Sequence, residues 1–486
     1  MVKTRRLMRR EITYSSAKTN ETNMLVSLGY YGKLYDFFLH LYRHENLLKQ
    51  AAAHHLGVNP ERCEVALVTQ WLFGSFNVCI PIVIDTQKSV LMRFPLPHRV
   101  GESFRPGNSD EKLRCEAGTY TWLQQNCPSI PIPRLYGFAF STGQSFTAIE
   151  NMPLIARCVQ SVRCFILRMF GFPVTKYVPY TVPCLDALKT GYLLVERIET
   201  GSMLSKTWKD KRDDQNLRMN FFRSLSRILL TIARVPVPRI GSFTIDHNGF
   251  LNLNNRPLTI EIQQMENEHI PVGIPRDATY STSLAYAHDI LALHDNRLRY
   301  QPNGANDKWD CLHQMATLTM MRILLPHFFN RQLNHGPFTV MLNDLHPSNI
   351  LVDDNWNITC VIDLEWCCSK PIEMLHPPQW ISGHEIEEVD RSNYEATRQE
   401  FMSAFKEERR LHTSVFGEPL SSIVEQGWNS EHREDGDFLN KLSAYWAADM
   451  NSFVQQKIED KAAYDKQLQE EFDVQPTDYP ENNPDP

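Results

Sequence analysis

Asp344, His346, Asn349 and Asp363 lie close together in F-T-V-M-L-N-D-L-H-P-S-N-I-L-V-D-D-N-W-N-I-T-C-V-I-D-L-E-W, the stretch from Phe338 to Trp366. Two carboxylates and an amide in this order suit phosphoryl transfer. One carboxylate orients the attacking hydroxyl and accepts its proton. The amide oxygen and the second carboxylate are hard ligands for magnesium on nucleotide phosphates. Asp344 and Asn349 stand in D-x-x-x-x-N spacing, which puts both on one loop. Ile350 to Val352 and Ile358 to Ile362 flank Asp353-Asp354-Asn355 and read as a hairpin. The loop precedes the hairpin and Asp363 follows it. Asp and Asn beside a turn are most often plain turn formers. The ordered set, with strands on the correct sides, favours chemistry instead.

At these residues N-D-L-H-P-S-N-I-L-V-D, followed by V-I-D-L-E-W, resembles the core of the aminoglycoside phosphotransferase family. It is most similar to a fungal branch of phosphotransferase enzyme family proteins. The likeness extends through Asn255 to Thr259, Ile274 to Tyr280 and His294 to Arg299, and so covers roughly Cys63 to Trp380. It implies an α+β, protein-kinase-like fold with a small β-rich N-lobe and a larger, mostly helical C-lobe. It further implies ATP and Mg2+ as cofactors and a small-molecule hydroxyl as acceptor. Asp344 becomes the catalytic base, with His346 as the second catalytic-loop residue, and Asn349 and Asp363 become metal ligands. Asn343 stands where His or Thr is common.

The remaining candidates lie upstream. Gly74, Ser75, Phe76 and Asn77 fall between two strands, where a kinase-like fold places its phosphate-covering loop. One glycine alone reads more readily as a plain hairpin turn, and the downstream loop reverses that preference. Arg93 ends the next strand, where a kinase has the Lys that grips the α/β-phosphates; the bland alternative is a surface cation. Glu116, on the helix that follows, is the chosen partner for Arg93, with Glu111 and Glu102 competing. Gly191 to Ile198 matches the hinge between lobes, where Glu196 is the residue named for the adenine edge.

Composition bounds the rest. A chain of 486 residues accommodates two lobes plus extensions, and its formal charge of −7 gives no global sign of nucleic acid or an anionic membrane as partner. Eleven dispersed cysteines without a C-x-x-C pair suit a reducing compartment. No apolar run reaches a membrane span; Cys164 to Phe172 is too short and is broken by Arg168. Lys3, Arg5, Arg6, Arg9 and Arg10 have the look of a mitochondrial leader, but the run is short and Glu11 interrupts it. A solvated arm on a cytoplasmic protein is therefore expected.

The expected organisation is a disordered basic leader (1–22), a helical extension (23–60) and an N-lobe (61–198) with an insertion near 150–188. A helical C-lobe (199–472) and a disordered tail (473–486) follow. Val237 to Gly304 shows little periodicity and reads as an acceptor-site insertion. Its acids and bases are balanced, unlike a pocket for a polycationic aminoglycoside. The reading is an ATP- and Mg2+-dependent phosphotransferase. The alternative, suggested by Arg93, Asn343 and the lone glycine, is an inactive pseudokinase that binds nucleotide or a partner. A protein kinase proper is opposed by the lack of an A-P-E segment after Asp363.

Overall fold

The computed structural model describes residues 3–85, 88–181, 187–382, 391–411 and 450–474. Residues 3–22 of the segment expected to be a disordered leader hold strands and a helix. β1 (Thr4–Arg6) and β2 (Glu11–Thr13) form a hairpin that leads into α1 (Tyr14–Lys18) and α2 (Met24–Leu28). Ile12, Tyr14, Ala17 and Met24 bury themselves against Tyr464, Leu468 and Phe472 of the helix Met450–Phe472. The basic residues are spent on local partners: Arg5 pairs with Asp473 at 2.9 Å, and Arg6 lies 4.2 Å over the Tyr31 ring. The sequence reading missed this because the partners are remote in the chain and the segment has no periodicity of its own.

Next come α3 (Tyr30–Arg43) and α4 (Glu45–Leu56), which ends on Gly57 in the left-handed conformation at φ 67°. A β-carbon at Gly57 would sit 2.5 Å from the Asn151 carbonyl oxygen, so this close approach admits only glycine. The strands β3 (Cys63–Val65), β4 (Leu72–Phe73), β5 (Asn77–Ile84) and β6 (Lys88–Pro95) precede α5 (Asn108–Asn126). β7 (Leu135–Ala139), β8 (Ser145–Ala148), α6 (Leu154–Met169), β9 (Tyr177–Pro179) and β10 (Tyr192–Glu196) complete the N-lobe. The strands make one antiparallel sheet in the order β3-β5-β6-β10-β7-β8-β9, with β4 on β5.

Both faces of this sheet are covered, so β5 reads as a near-continuous apolar run. On one side Leu34, Leu41, Leu48 and Ala52 of α3 and α4 pack on Val78, Ile80, Ile82, Met92 and Phe94. On the other, Leu113, Tyr120 and Leu123 of α5 join Phe138, Leu193 and Val195 in the main core. The region 150–188, expected to be without period, contains α6 and adds β9 to the sheet edge; residues 182–186 lie outside the described residues.

The C-lobe is mostly helical. It begins with β11 (Ser202–Met203), α7 (Trp208–Lys211) and α8 (Gln215–Ala233), then the hairpin β12 (Ser242–Ile245) and β13 (Leu251–Asn255). α9 (Ile260–Asn267), α10 (Ser283–Tyr300) and α11 (Lys308–Phe328) follow. The expectation of little periodicity between Val237 and Gly304 is thus corrected. α10 starts on an N-cap bond from Ala285 N to Thr282 Oγ1 at 3.3 Å and buries Ala287, Leu291 and Leu298 against α11. Their i, i+4, i+11 spacing was legible, but His, Asp, Asn and Arg between them hid it.

β14 (Phe338–Met341), β15 (Ile350–Val352), β16 (Ile358–Val361) and β17 (Cys368–Pro371) frame the catalytic-loop region. β15 and β16 form the expected hairpin and join β11, while β14 pairs with β17. α12 (Arg391–Leu411) packs on α8, and α13 (Met450–Phe472) packs on α11 and α1. Residues 383–390 and 412–449 of the expected C-lobe, and residues 475–486 of the expected tail, lie outside the described residues. All ten described cysteines are free thiols, and among the described residues no helix is long and apolar enough to cross a membrane.

One buried group makes the docking of α4 sensitive to acid. His55 is fully buried between Thr147 Oγ1 at 2.7 Å and Tyr192 Oη at 2.9 Å. Burial, then the neighbouring His54, pulls its pKa down to about 3 from 6.5. The folded protein keeps His55 neutral while the unfolded chain takes up the proton, so stability falls as pH drops below 6.5. The expected slope is at most about 1.4 kcal/mol per pH unit down to the folded pKa. His55→Gln keeps the hydrogen bonds without titrating. Urea midpoints measured from pH 7 to 4 should therefore fall more steeply for the wild type, and equal slopes would place the acid sensitivity elsewhere.

Candidate active site

The chain brings two pieces of backbone together to make the loop around Asp344. After β14, the carbonyl of Asp344 accepts from His346 N at 2.9 Å and from Asn349 Nδ2 at 2.9 Å. The same Asn349 Nδ2 lies 3.0 Å from Asp344 Oδ2, so the amide holds the carboxylate and its own backbone at once. This spends the amide's donor side and leaves its oxygen as the ligand atom. His346 caps the short turn Pro347–Asn349, its Nδ1 lying 2.9 Å from Ser348 Oγ and 3.3 Å from Ser348 N. Trp380 Nε1 donates to Leu345 O at 2.7 Å and closes the loop from outside.

Asp363 follows β16 with φ 64°, an uncommon conformation for a residue with a β-carbon. Ile362 N donates to Asn349 O at 2.9 Å, which sets Asp363 next to the loop. Its carboxylate takes a hydrogen bond from Arg93 Nη2, which also reaches Glu365 Oε2 at 2.7 Å. Arg93 Nε lies 3.2 Å from Glu116 Oε1. Of the three carboxylates considered for Arg93, Glu116 is the one it meets. Glu111 turns to Arg256, and Glu102 caps α5 by accepting from Gly107 N and Ser109 N, both at 2.7 Å.

Two residues absent from the sequence reading complete the cluster. Lys112, one turn before Glu116, is fully buried, pairs with Glu365 and donates to Asn77 Oδ1 at 2.6 Å. Asn77 Nδ2 in turn donates to Glu365 Oε2 at 2.6 Å. The signals were present in the sequence: a Lys and a Glu four apart on a helix, and a second acid two residues after Asp363. They were missed because an (i, i+4) Lys–Glu pair usually marks a solvated face.

Other candidates go elsewhere. Phe76 is buried with its ring edge-on to Trp366 at 5.1 Å, and the Asn77 side chain points into the ion cluster. Ser75 O accepts from Arg99 Nε at 2.8 Å, and Gly74 N donates to Asn77 O at 2.7 Å, closing a tight hairpin turn. Glu196 donates its amide to Arg134 O at 2.8 Å and accepts from Arg134 N at 3.1 Å, so this residue clasps β10 to the chain before β7. Asn343 donates to Trp366 O at 2.6 Å and to Cys368 Sγ at 3.2 Å; it braces the far side of the loop rather than Asp344.

Two buried cations, Arg93 and Lys112, thus face four carboxylates: Glu116, Asp344, Asp363 and Glu365. Burial pushes Glu116 up to about 7. Burial opposes the charge of Glu365 as well, yet Lys112 and Arg93 outweigh it and bring that group down to about 2. Burial, then the charges of Asp363 and Glu365, raises Asp344 to about 6. Asp363 is also raised, chiefly by burial, although Arg93 works against the shift. The excess of negative charge suits a divalent cation. Among the described residues no group of three or more His, Cys, Asp or Glu side chains forms a ready-made metal cage. Magnesium at nucleotide sites takes one or two protein oxygens and completes its shell with phosphates and water, and Asp363 with the Asn349 amide oxygen fits that donor set.

A second ion network holds α5 in place. Arg256, fully buried, donates to Glu111 through Nε and Nη2 at 2.8 Å each, and to Glu266 through Nη1 at 2.8 Å and Nη2 at 2.9 Å. Asn108 Nδ2 and Arg105 Nη1 add bonds to Glu266 at 2.7 and 3.0 Å. Nearby, Gly118 of α5 lets the helix lie against β12, where a β-carbon would meet Phe243 O at 2.3 Å. The helix carrying Lys112 and Glu116 is therefore fastened to the C-lobe segment 242–276 along its length.

The antiparallel N-lobe sheet and the helical C-lobe, with the acid-rich cluster where they meet, make a two-lobed α+β architecture. Residues 166–374 match the model of the Phosphotransferase enzyme family. The matched span contains Glu196, Asp344, His346, Asn349, Asp363 and Glu365; Arg93, Lys112 and Glu116 precede it. The solved structures similar to the chain include a macrolide 2'-phosphotransferase type I, at 12% identity and a TM-score of 0.32, covering 84% of this chain and 90% of that one. Macrolide 2'-phosphotransferase MphH from Brachybacterium faecium, as apoenzyme, is similar at 11% identity and a TM-score of 0.36, covering 90% and 97%. At these values neither carries an argument about the acceptor. No curated protein matches the chain.

The Arg256 network sets a clear expectation. Arg256→Met removes the one cation shared by Glu111 and Glu266 and leaves two buried carboxylates short of a partner. Breaking a buried pair in this way costs about 3–5 kcal/mol. Urea unfolding should show that loss; a change below about 1 kcal/mol would be that of an ordinary exposed pair and would show the network to be dispensable.

Proposed function

We propose that the chain transfers the γ-phosphoryl group of ATP, with Mg2+, to a hydroxyl of a small-molecule acceptor. The observation that carries this reading is the Asn349 amide holding Asp344 while Asp363, next to it across the hairpin, faces Arg93. A base, a metal-ligand pair and a phosphate-binding cation thereby meet in one cleft, within the chain that matches a phosphotransferase family. In this reading Asp344 orients the acceptor hydroxyl and takes its proton. Its raised pKa of about 6 suits a base working near neutral pH. Asn349 and Asp363 would hold magnesium, which supplies positive charge to the β- and γ-phosphate oxygens. Arg93 would exchange part of its hold on Asp363 and Glu365 for the phosphates, with Glu116 and Lys112 keeping the surrounding charges in register. His346 keeps the loop in shape through Ser348. The acceptor would enter on the side of Trp380, whose indole bonds to the loop at Leu345 O.

ATP turnover measured against a panel of hydroxyl-bearing metabolites tests this. Asp344→Asn removes the proton acceptor and keeps the shape, so turnover should fall by about 10²–10⁴-fold while nucleotide affinity stays nearly constant. Full activity in Asp344→Asn would remove Asp344 from the chemistry. Wild-type protein that binds magnesium-ATP tightly yet turns over none of the panel would make the chain a nucleotide-binding module.

The metal assignment has its own readout. ATP should raise the melting temperature only with magnesium or manganese present, by the equivalent of about 2.7 kcal/mol at a hundredfold excess over the dissociation constant. Asp363→Ala should abolish the metal-dependent part of that shift. An equal shift in EDTA would refute the assignment of Asn349 and Asp363.

A further inference from the structure

We propose that α6 seats the protein on an anionic lipid surface, lying in the membrane interface with its outer face among the acyl chains. α6 already has a packing stripe: Cys164, with Ala156 and Leu167, lies against Met152, Val174 and Val178. A helix on the surface of a soluble protein turns polar residues outward from such a stripe. α6 does the opposite. Ile155 is 83% exposed, Met169 73% and Phe165 65%, and Leu154, Val159 and Val162 share their face. At 100° per residue these six side chains occupy one continuous arc opposite Cys164, and exposed Phe170 extends it at the carboxyl end. No other helix among the described residues shows as many exposed large apolar side chains.

Charge selects the partner. Residues 151–185 contain no Asp or Glu, but hold Arg157, Arg163, Arg168 and Lys176, in a chain whose formal charge is −7. Arg157 and Arg163 stand beside the apolar arc, where they donate at 3.3 Å to Glu150 O and Asn248 O, and Arg168 is exposed. An apolar face rimmed by arginine is the composition of an interfacial helix, which buries its apolar side to a depth of about 5–10 Å and meets anionic headgroups with its cations. A second copy of the chain fits poorly, since a two-fold contact through this face would bring arginine against arginine. The 16-residue helix is about 24 Å long, and it lies flat on the N-lobe, so it rests on a membrane rather than crossing one.

The test uses the full chain and vesicles of phosphatidylcholine with or without phosphatidylserine. The protein should sediment with the phosphatidylserine vesicles, less so in high salt, and remain in solution with phosphatidylcholine alone. Val159→Glu with Phe165→Glu should abolish sedimentation while leaving the melting temperature unchanged, because both side chains are exposed. Arg157→Gln with Arg168→Gln should weaken binding by roughly tenfold to thirtyfold. The proposal falls if the wild type stays in solution with both vesicle types, or if the double Glu variant sediments as the wild type does. Light scattering that shows a wild-type dimer lost in the double Glu variant, without vesicle binding, would overturn it in favour of a second copy.

Discussion

The cleft depends on Arg256. A guanidinium with no exposure to water is tolerable only if its charge is matched and its N–H groups are used, and Glu111 and Glu266 do both. Glu111 belongs to α5, whereas Arg256 and Glu266 belong to the C-lobe. The ion group is therefore a bolt through the two lobes. Glu116 is little more than one turn further along α5, so the place of the Arg93–Glu116 contact follows from it. The near end of α5 is bonded through Glu111 and its middle rests on β12 through Gly118.

That rigidity explains how the central cluster tolerates so much charge in so little space. Arg93 and Lys112 cannot retreat to water, and the four carboxylates cannot all ionise at ease. Glu365 takes most of the cationic neighbourhood and stays charged, while Glu116 and Asp344 are left with raised pKa values. Unequal environments thus give chemically identical carboxylates different duties. One serves as structural counter-ion, and another is left near the pKa at which accepting a proton is useful.

Local patterns made a good part of this legible beforehand. The loop with Asp344 and Asn349, the hairpin behind it, the end of α4 at Gly57 and the alternatives for the partner of Arg93 all rest on short-range spacing, which one sequence displays directly. What stayed hidden depends on distant partners. Lys112 is indistinguishable from a surface lysine until Glu365 is brought to it across more than half the chain. Glu196 reads as a hinge residue from the sequence, and its bonds to Arg134 through both amide and carboxylate show only in the fold. The regions 3–22 and 237–304 read as irregular because their apolar residues follow no long period and their partners are remote, so packing, rather than propensity, supplies their order.

The joining of the first and last described segments has a consequence for how the polypeptide is made. The backbone amide of Met24 donates to Tyr464 Oη, a partner 440 residues further along. A ribosome adding about 5–20 residues per second would need roughly 20–90 s to cover that interval. During this time Ile12, Tyr14 and Met24 have no surface to bury against. The opening hairpin is therefore among the last parts of the molecule to find its place, and a nascent chain stalled before α13 would present a basic, apolar-studded arm for chaperones to hold.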